Sequence, residues 1–242
     1  MPRRTPLALT VAGVALAALA LAGCATGAAT DPGDAPSDAA PVTGAGELEV
    51  EAGWLAGGSL IALVTQGSST CVPIASDVTV QADGSLAVTL EDPAATDGSE
   101  LACTADLAPR ATLVALPDGV TPGQELDIVV TYGDARGDTD LDAFDGKAVE
   151  DYSPSAAWID DHLFTLVTWG SSSCAPVVES FEATGDAATL TFVTPPADQM
   201  CTMDMAPRVL ALTTEYFADD IATVTLTGGS DFATPVTIPI EG

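Results

Sequence analysis

Short runs of aliphatic and β-branched residues, several alternating with polar residues, recur from residue 59 to the C-terminus. Leu86, Val88 and Leu90 show the two-residue period of a strand with one buried face. Asp83-Gly84 precedes this run and favours a tight hairpin turn, because both residues tolerate positive φ. No stretch of ten residues has the spacing of an amphipathic helix.

Strands of similar length are therefore expected throughout, with Pro235 and Pro239 marking the last as an edge strand. The predicted strands are residues 59–65, 78–82, 86–90, 111–116, 126–132, 163–169, 177–183, 187–194, 208–213, 221–227 and 235–240. Short strands separated by turn residues are typical of small antiparallel sandwiches and barrels. The predicted fold is all-β, with two tandem antiparallel β-sandwich units that are Ig-like or barrel-like.

Two sequence motifs each occur twice. Val64–Pro73 returns as Val167–Pro176, and Cys103–Arg110 returns as Cys201–Arg208. Self-similarity at a long period indicates a tandem duplication. Two arrangements stay open: two separate β bodies, or one fused domain with internal pseudo-symmetry.

The N-terminus has the order of an export signal. Arg3 and Arg4 precede an almost wholly apolar run from Leu7 to Ala22, and small residues follow. Leu21-Ala22-Gly23-Cys24 resembles the lipobox of bacterial lipoprotein precursors. The resemblance implies that Cys24 is acylated and becomes the first mature residue, which anchors the protein to the outer face of the cell membrane.

The following segment, Ala25 to Gly46, consists mainly of small and polar residues and favours a flexible tether. The predicted organisation is a signal peptide (1–23), the lipidated cysteine with its tether (24–46), a first β unit (47–145), an acidic linker (146–156) and a second β unit (157–242).

The charge balance is strongly acidic. Removal of the signal takes away two of the six basic residues and none of the 35 acidic ones. The few remaining Lys and Arg side chains cannot neutralise the phosphates of a nucleic acid, and nucleic acid is therefore excluded as a partner. Acidic polymers would be repelled in the same way.

With Cys24 assigned to lipid, four cysteines remain, and four cysteines allow three pairings. Each unit holds one cysteine after a Gly-Ser-rich segment and one before a Pro-Arg pair, so the duplication predicts Cys71–Cys103 and Cys174–Cys201. Export makes oxidation expected. Neither a Cys-x-x-Cys redox motif nor closely spaced zinc ligands occur, and no cofactor is predicted.

The serine-rich motif at 170–174 does not predict a catalytic serine. Cys174 stands where Gly-x-Ser-x-Gly requires its second glycine. His162 is the chain's single histidine, and Ser59 occupies the corresponding place in the first unit. We therefore assign no catalytic residue and expect a turn whose hydroxyls bind backbone groups.

Two aspartates and two arginines recur at equivalent places: Asp106 with Arg110, and Asp204 with Arg208. The recurrence indicates that each arginine has a fixed partner, either a carboxylate or a set of backbone carbonyls near the disulfide. A ligand-holding arginine is the alternative.

An acidic stretch offers candidate calcium ligands: Asp138, Asp140, Asp142 and Asp145. Ala143 stands at the turn-glycine position and Val149 at the position of the bidentate Glu. A plain acidic connector is therefore the preferred interpretation, and no metal site is assigned.

Trp54 and Trp158 precede the two motif copies at nearly the same distance, and we expect both in the cores. The chain from 47 to 242 resembles uncharacterised secreted or lipid-anchored proteins of actinobacteria with a duplicated Gly-Ser-Ser-Ser-Cys…Cys-Thr-x-Asp-x-x-Pro-Arg unit, and the resemblance implies no activity. The first unit has Gln66 at the position equivalent to Trp169 of the second, so a surface role of that tryptophan would belong to the second unit alone.

The leading hypothesis is a non-catalytic, lipid-anchored envelope protein that binds an envelope protein or a glycan, or acts as a scaffold. One alternative is a cell-wall-acting enzyme or accessory factor that uses carboxylates in acid and base roles. Another is a calcium-binding surface protein.

Overall fold

The computed structural model describes residues 46–94 and 101–242, which form an all-β fold. The signal segment, Cys24 and nearly all of the predicted tether lie outside the described residues. The strands are β1 Val50–Leu55, β2 Leu60–Gly67, β3 Ile74–Val80, β4 Leu86–Glu91, β5 Ala108–Ala115, β6 Leu126–Tyr132, β7 Ala135–Leu141, β8 Ser155–Trp158, β9 Leu163–Gly170, β10 Val178–Thr184, β11 Ala187–Phe192, β12 Ala206–Thr213, β13 Thr223–Gly228 and β14 Phe232–Glu241.

Both units are built on one plan. The first contains the sheets β1-β2-β5 and β3-β4-β6-β7, and the second repeats them as β8-β9-β12 and β10-β11-β13-β14, joined through β14 and β8 into one seven-stranded sheet. Strands β4 and β6 pair in parallel, as do β11 and β13. Parallel neighbours need a crossover, and the intervening strand in the other sheet supplies it. The predicted all-β fold of tandem sandwich-like units is confirmed, with one parallel pair inside each four-stranded sheet.

Each unit has its own core between its two sheets. Trp54 lies in the first core, with 8% of its surface exposed, and Trp158 packs against the second. The indole Nε1 of Trp54 donates to the Asp142 carbonyl at 2.8 Å, so its polar edge is satisfied as a buried indole requires. Both tryptophans are therefore core residues, as expected from the sequence.

Strand β2 is buried on both faces. Ile61 and Leu63 pack in the core of their own unit, whereas Ala62 and Val64 belong to clusters shared with the second unit. Strand β9 repeats this arrangement. A strand covered on both sides needs apolar residues at every position, which explains why these two runs do not alternate.

The two three-stranded faces pack against each other and make one compact body of the described residues. Of the two arrangements left open by the sequence, this packing corresponds to the fused domain with internal pseudo-symmetry. The junction is apolar because the face of each three-stranded sheet that points away from its own core is covered by the other unit. Its main residues are Leu55, Ala62, Val64, Ala111 and Leu113 from the first unit and Ala157, Ile159, Leu163, Val167, Val209 and Ala211 from the second.

Three strands were not predicted: β1, β7 and β8. Strand β8 begins at Ser155, inside the predicted linker 146–156, and its small residues carry no strand pattern. Strand β7 is mostly polar, and Gly137 lies at its centre because a Cβ there would approach the Leu48 carbonyl oxygen to 2.1 Å. Close backbone approach, rather than side-chain hydrophobicity, positions this strand.

Across the described parts of the chain, no helix has the length and apolar character needed to cross a bilayer.

Candidate functional site

The duplicated motifs form one disulfide-bonded knot in each unit. Cys71 is bonded to Cys103 and Cys174 to Cys201, with Cα–Cα distances of 5.5 and 5.6 Å. Each bond closes a loop within its own unit. The predicted disulfides are confirmed.

The aspartate of each knot is held by hydroxyl and amide donors. Asp106 accepts the Ser69 N–H at 3.2 Å and the Thr104 hydroxyl. Hydrogen bonds from the Ser69 and Thr104 side chains and from the Ser69 N–H lower the pKa of Asp106 to about 2. Hydrogen bonds to the charged form favour that form, so this carboxylate stays ionised at neutral pH.

The second knot repeats these contacts. The Ser172 N–H donates to Asp204 at 3.0 Å, and the Thr202 hydroxyl donates to the same oxygen. Hydrogen bonds from the side chains of Ser172 and Thr202 hold the pKa of Asp204 well below its usual range. The serine hydroxyls also contact Thr202, as Ser171 does at 2.8 Å. The serine hydroxyls therefore help to hold the two segments of the knot together, chiefly through the Thr202 hydroxyl.

The knot arginines are buried, and their partners are groups other than the motif aspartates. Arg110 donates to the carbonyls of Cys71 and Gln66 at 2.9 and 3.3 Å. A Cβ on Gly67 would lie 2.5 Å from its guanidinium carbon, so the motif needs glycine at this place. The guanidinium lies over the Tyr132 ring, 5.7 Å from the centroid, an arrangement that favours a cation.

Arg208 does the same in the second unit, donating to the carbonyls of Cys174 and Trp169 at 3.1 and 3.0 Å. Its Nη2 also lies 2.7 Å from an Asp231 oxygen, the one ion pair within 4 Å among the described residues. Neither knot arginine pairs with the aspartate of its own motif. Of the partners anticipated from the sequence, backbone carbonyls serve both arginines, and a carboxylate serves Arg208.

His162 lies in the turn between β8 and β9. Its Nδ1 is 3.2 Å from the Tyr216 carbonyl oxygen, and its ring centroid is 4.4 Å from that of Phe217. Within the described residues, no hydrogen bond joins this histidine to the knot serines. The arrangement does not assemble a serine nucleophile with a base.

Two hollows lie where the units meet, one lined by Gln66 and the other by Trp169. These two residues occupy equivalent positions in the two units, because Gln66 pairs with Pro109 and Trp169 pairs with Pro207. The acidic groove, of about 530 Å³, is lined by Glu47, Leu48, Glu49, Val50, Glu51, Val64, Gln66, Asp138 and Asp160. The aromatic groove, of about 360 Å³, is lined by Ala56, Ser59, Val149, Glu150, Asp151, Tyr152, Ser153 and Trp169.

In the aromatic groove, Tyr152 presents an exposed ring on a fixed support. The side chain is 58% exposed, and its ring meets Trp169 edge-on with centroids 5.3 Å apart. The Trp169 Nε1 donates to the Ser153 carbonyl at 3.1 Å, which ties the segment that carries the tyrosine to β9. Tyr152 has a φ of 63°, a strained conformation for a bulky residue, and such strain is concentrated at functional positions.

A short 3-10 turn, Ala56–Gly58, forms the opposite wall. Ala56 has a φ of 50°, and its N–H donates to the Ser155 hydroxyl at 2.7 Å, a bond between the two units. An apolar hollow of about 290 Å³ adjoins this wall and also contacts Phe144 and Lys147. The aromatic groove and this nonpolar hollow share the lining residues Ala56, Val149, Glu150 and Ser153.

The acidic groove brings carboxylates of both units together. Burial and the charges of Asp160 and Glu49 raise the pKa of Glu51. Glu51 belongs to β1 and Asp160 to the β8–β9 turn, so this contact exists only because the units are fused. A carboxyl with a raised pKa close to other carboxylates is the electrostatic arrangement used in acid and base catalysis.

The calcium candidates fall into two places. Asp138 lines the acidic groove, whereas Asp140, Asp142 and Asp145 line a separate hollow together with Glu241. Asp138 and Asp140 belong to the extended strand β7 rather than to a loop. Among the described residues, no three His, Cys, Asp or Glu side chains are arranged to hold a metal ion.

Comparison with known proteins finds no match: not among models of protein families, among curated proteins or among solved structures. The residues of the two grooves therefore carry the functional argument.

Sequence reasoning missed Tyr152, Glu51 and Asp160. The one sequence feature that pointed towards the grooves was the difference between Gln66 and Trp169, which occupy equivalent positions of the shared motif. The partners of these residues come from the other unit or from the connector, and a strand pattern does not report that.

Proposed function

We propose that this chain is a lipid-anchored, extracytoplasmic envelope protein that works as a non-catalytic glycan-binding module. The predicted export signal and Cys24 lipobox support the location. The exposed Tyr152 ring, held against Trp169 between the two units, is the observation that carries the binding proposal.

The chemistry of the aromatic groove fits a sugar ring. The C–H groups of a pyranose pack on an aromatic face, whose electron density is negative. Glu150 and Asp151 offer acceptors for sugar hydroxyls on the same lining. The volume of the groove is within the range of about 300 to 1,000 Å³ of small-ligand sites. The strongly acidic chain favours uncharged or amino-containing glycans over acidic polymers.

The test is calorimetric titration of the protein with soluble, uncharged oligosaccharides of N-acetylglucosamine. Tyr152→Ala and Trp169→Gln should each weaken binding by about tenfold or more, since tenfold corresponds to about 1.4 kcal/mol. The glutamine variant installs the residue of the first unit. Glu51→Gln, in the acidic groove, is the matched control and should bind as the wild type does. Equal affinity in all four proteins contradicts the proposal.

The acidic groove supports a second candidate, a hydrolase of cell-wall glycans. Glu51, with its raised pKa, would act as the acid, and Asp160 as the base or nucleophile. Release of reducing sugar from purified cell walls is the assay. Glu51→Gln and Asp160→Asn should abolish the release of reducing sugar. Trp169→Gln should leave that release unchanged, because it does not alter the hydrolytic residues. Wild-type protein that releases no sugar refutes this candidate and leaves the binding proposal standing.

A further inference from the structure

The methionines of this protein are concentrated in one loop. Apart from Met1, the chain has three, Met200, Met203 and Met205, and all lie within six residues beside Cys201. Their exposures are 92%, 103% and 55%. Isolated exposed apolar residues are common on proteins, but a group this compact is a feature that needs an explanation.

The group belongs to the second unit alone. Alignment on the knot cysteines, Cys103 and Cys201, places Ala102, Ala105 and Leu107 at the corresponding positions of the first unit. These three residues are also exposed. The knot therefore folds without methionine, and the three thioethers are an addition to a shared scaffold.

The backbone between the methionines is held in place. The Thr202 N–H donates to the Ser173 hydroxyl at 3.0 Å, and Asp204 accepts the Ser172 N–H at 3.0 Å. The Cα atoms of Met203 and Met205 are at most about 7 Å apart, and those of Met200 and Met203 at most about 11 Å. Flexible side chains with three rotatable bonds let the sulfurs converge over such distances.

We propose that the Met200, Met203 and Met205 thioethers form a surface site for a soft monovalent cation, Cu(I) or its analogue Ag(I). Thioether sulfur is a soft ligand that selects Cu(I) over hard cations. The thiols of the loop are locked in the Cys174–Cys201 disulfide, so the thioethers are the sulfur donors that remain.

The experiment is calorimetric titration of the purified protein with Ag(I), which needs no reductant, followed by competition for Cu(I) against a chromogenic chelator in ascorbate. The expected result is one ion per chain. Met203→Leu should weaken binding by about tenfold or more, since loss of an outer-sphere partner alone costs about 10- to 100-fold. The Met200→Leu, Met203→Leu, Met205→Leu triple variant should lose the stoichiometric site.

Leucine is close in volume and these side chains are exposed, so the triple variant should fold normally, with an unchanged thermal midpoint. A gain-of-site variant is the matched control: Ala102→Met, Ala105→Met and Leu107→Met should give a second ion per chain. Absence of stoichiometric Ag(I) binding, full binding by the triple variant, or displacement of Ag(I) by equimolar Zn²⁺ would each overturn the proposal.

Discussion

Separating the two units is the sharpest test of the fused architecture. A fragment of residues 46–148 keeps the core of the first unit but exposes the face that normally packs on the second. Four large side chains lose cover there, together with two alanines: Leu55, Leu60, Val64, Leu113, Ala62 and Ala111. At about 1.5 to 3 kcal/mol for each large side chain and about 0.8 for each alanine, the loss is about 8 to 14 kcal/mol.

This loss is an upper estimate, because the unfolded chain already covers part of its apolar surface. It is nevertheless comparable with the whole stability of a domain, about 5 to 15 kcal/mol. The fragment should therefore be unfolded or aggregated. Trp54 is its single tryptophan, so urea titration followed by tryptophan fluorescence reports on this unit alone.

A chain with a protease site inserted between Gly146 and Lys147 is the control. After cleavage, the two halves should elute together, because the apolar junction holds them without a covalent link. A fragment that unfolds cooperatively at the same urea concentration as the full chain would refute the reasoning.

Further predictions concern the knots. Replacing Cys174 and Cys201 by serine opens a loop of 27 residues and should destabilise the protein by about 3 to 4 kcal/mol in urea denaturation; an unchanged midpoint contradicts the stapling role. Arg208→Met removes a buried cation and leaves its partners unpaired, so we expect a loss of about 3 to 5 kcal/mol, whereas the more exposed Arg136→Met should change stability little. The pKa of Asp106 is lowered to about 2 from 3.8, so its stabilising contribution is complete above pH 4 and is lost as the pH falls towards 2. Asp106→Asn should make stability depend less on pH between pH 4 and pH 2, as measured by acid unfolding followed by circular dichroism. An acid transition identical to that of the wild type contradicts this.

Much of the local structure was predictable. Strand β6 was predicted with the bounds observed, and β4 within one residue, because both alternate cleanly and have a single core face. Strands β7 and β8 were missed because Ala, Gly and Asp make up at least half of each, and β1 was missed because Glu, Ala and Gly interrupt its apolar residues. Their positions depend on backbone pairing and close approach, as at Gly137, and neither leaves a hydrophobic pattern.

The sites were predictable only in part. Repetition identified the arginines and aspartates of the knots, since a residue kept in both copies has the same neighbours twice. Tyr152 and Glu51 have no such signal. Each lies in a groove formed with the opposite unit, so its environment depends on how two surfaces distant in sequence pack together.

The amino-acid sequence alone determined the strand content, the duplication and the pairing of the four knot cysteines, because these follow from short-range periodicity and internal repetition. Only the tertiary structure decided that the units are fused, that Arg110 and Arg208 serve backbone carbonyls, and that one groove is aromatic and the other acidic. The physical reason is that burial of a second sheet face is a property of two surfaces meeting, and the sequence of either surface does not specify which apolar partner covers it.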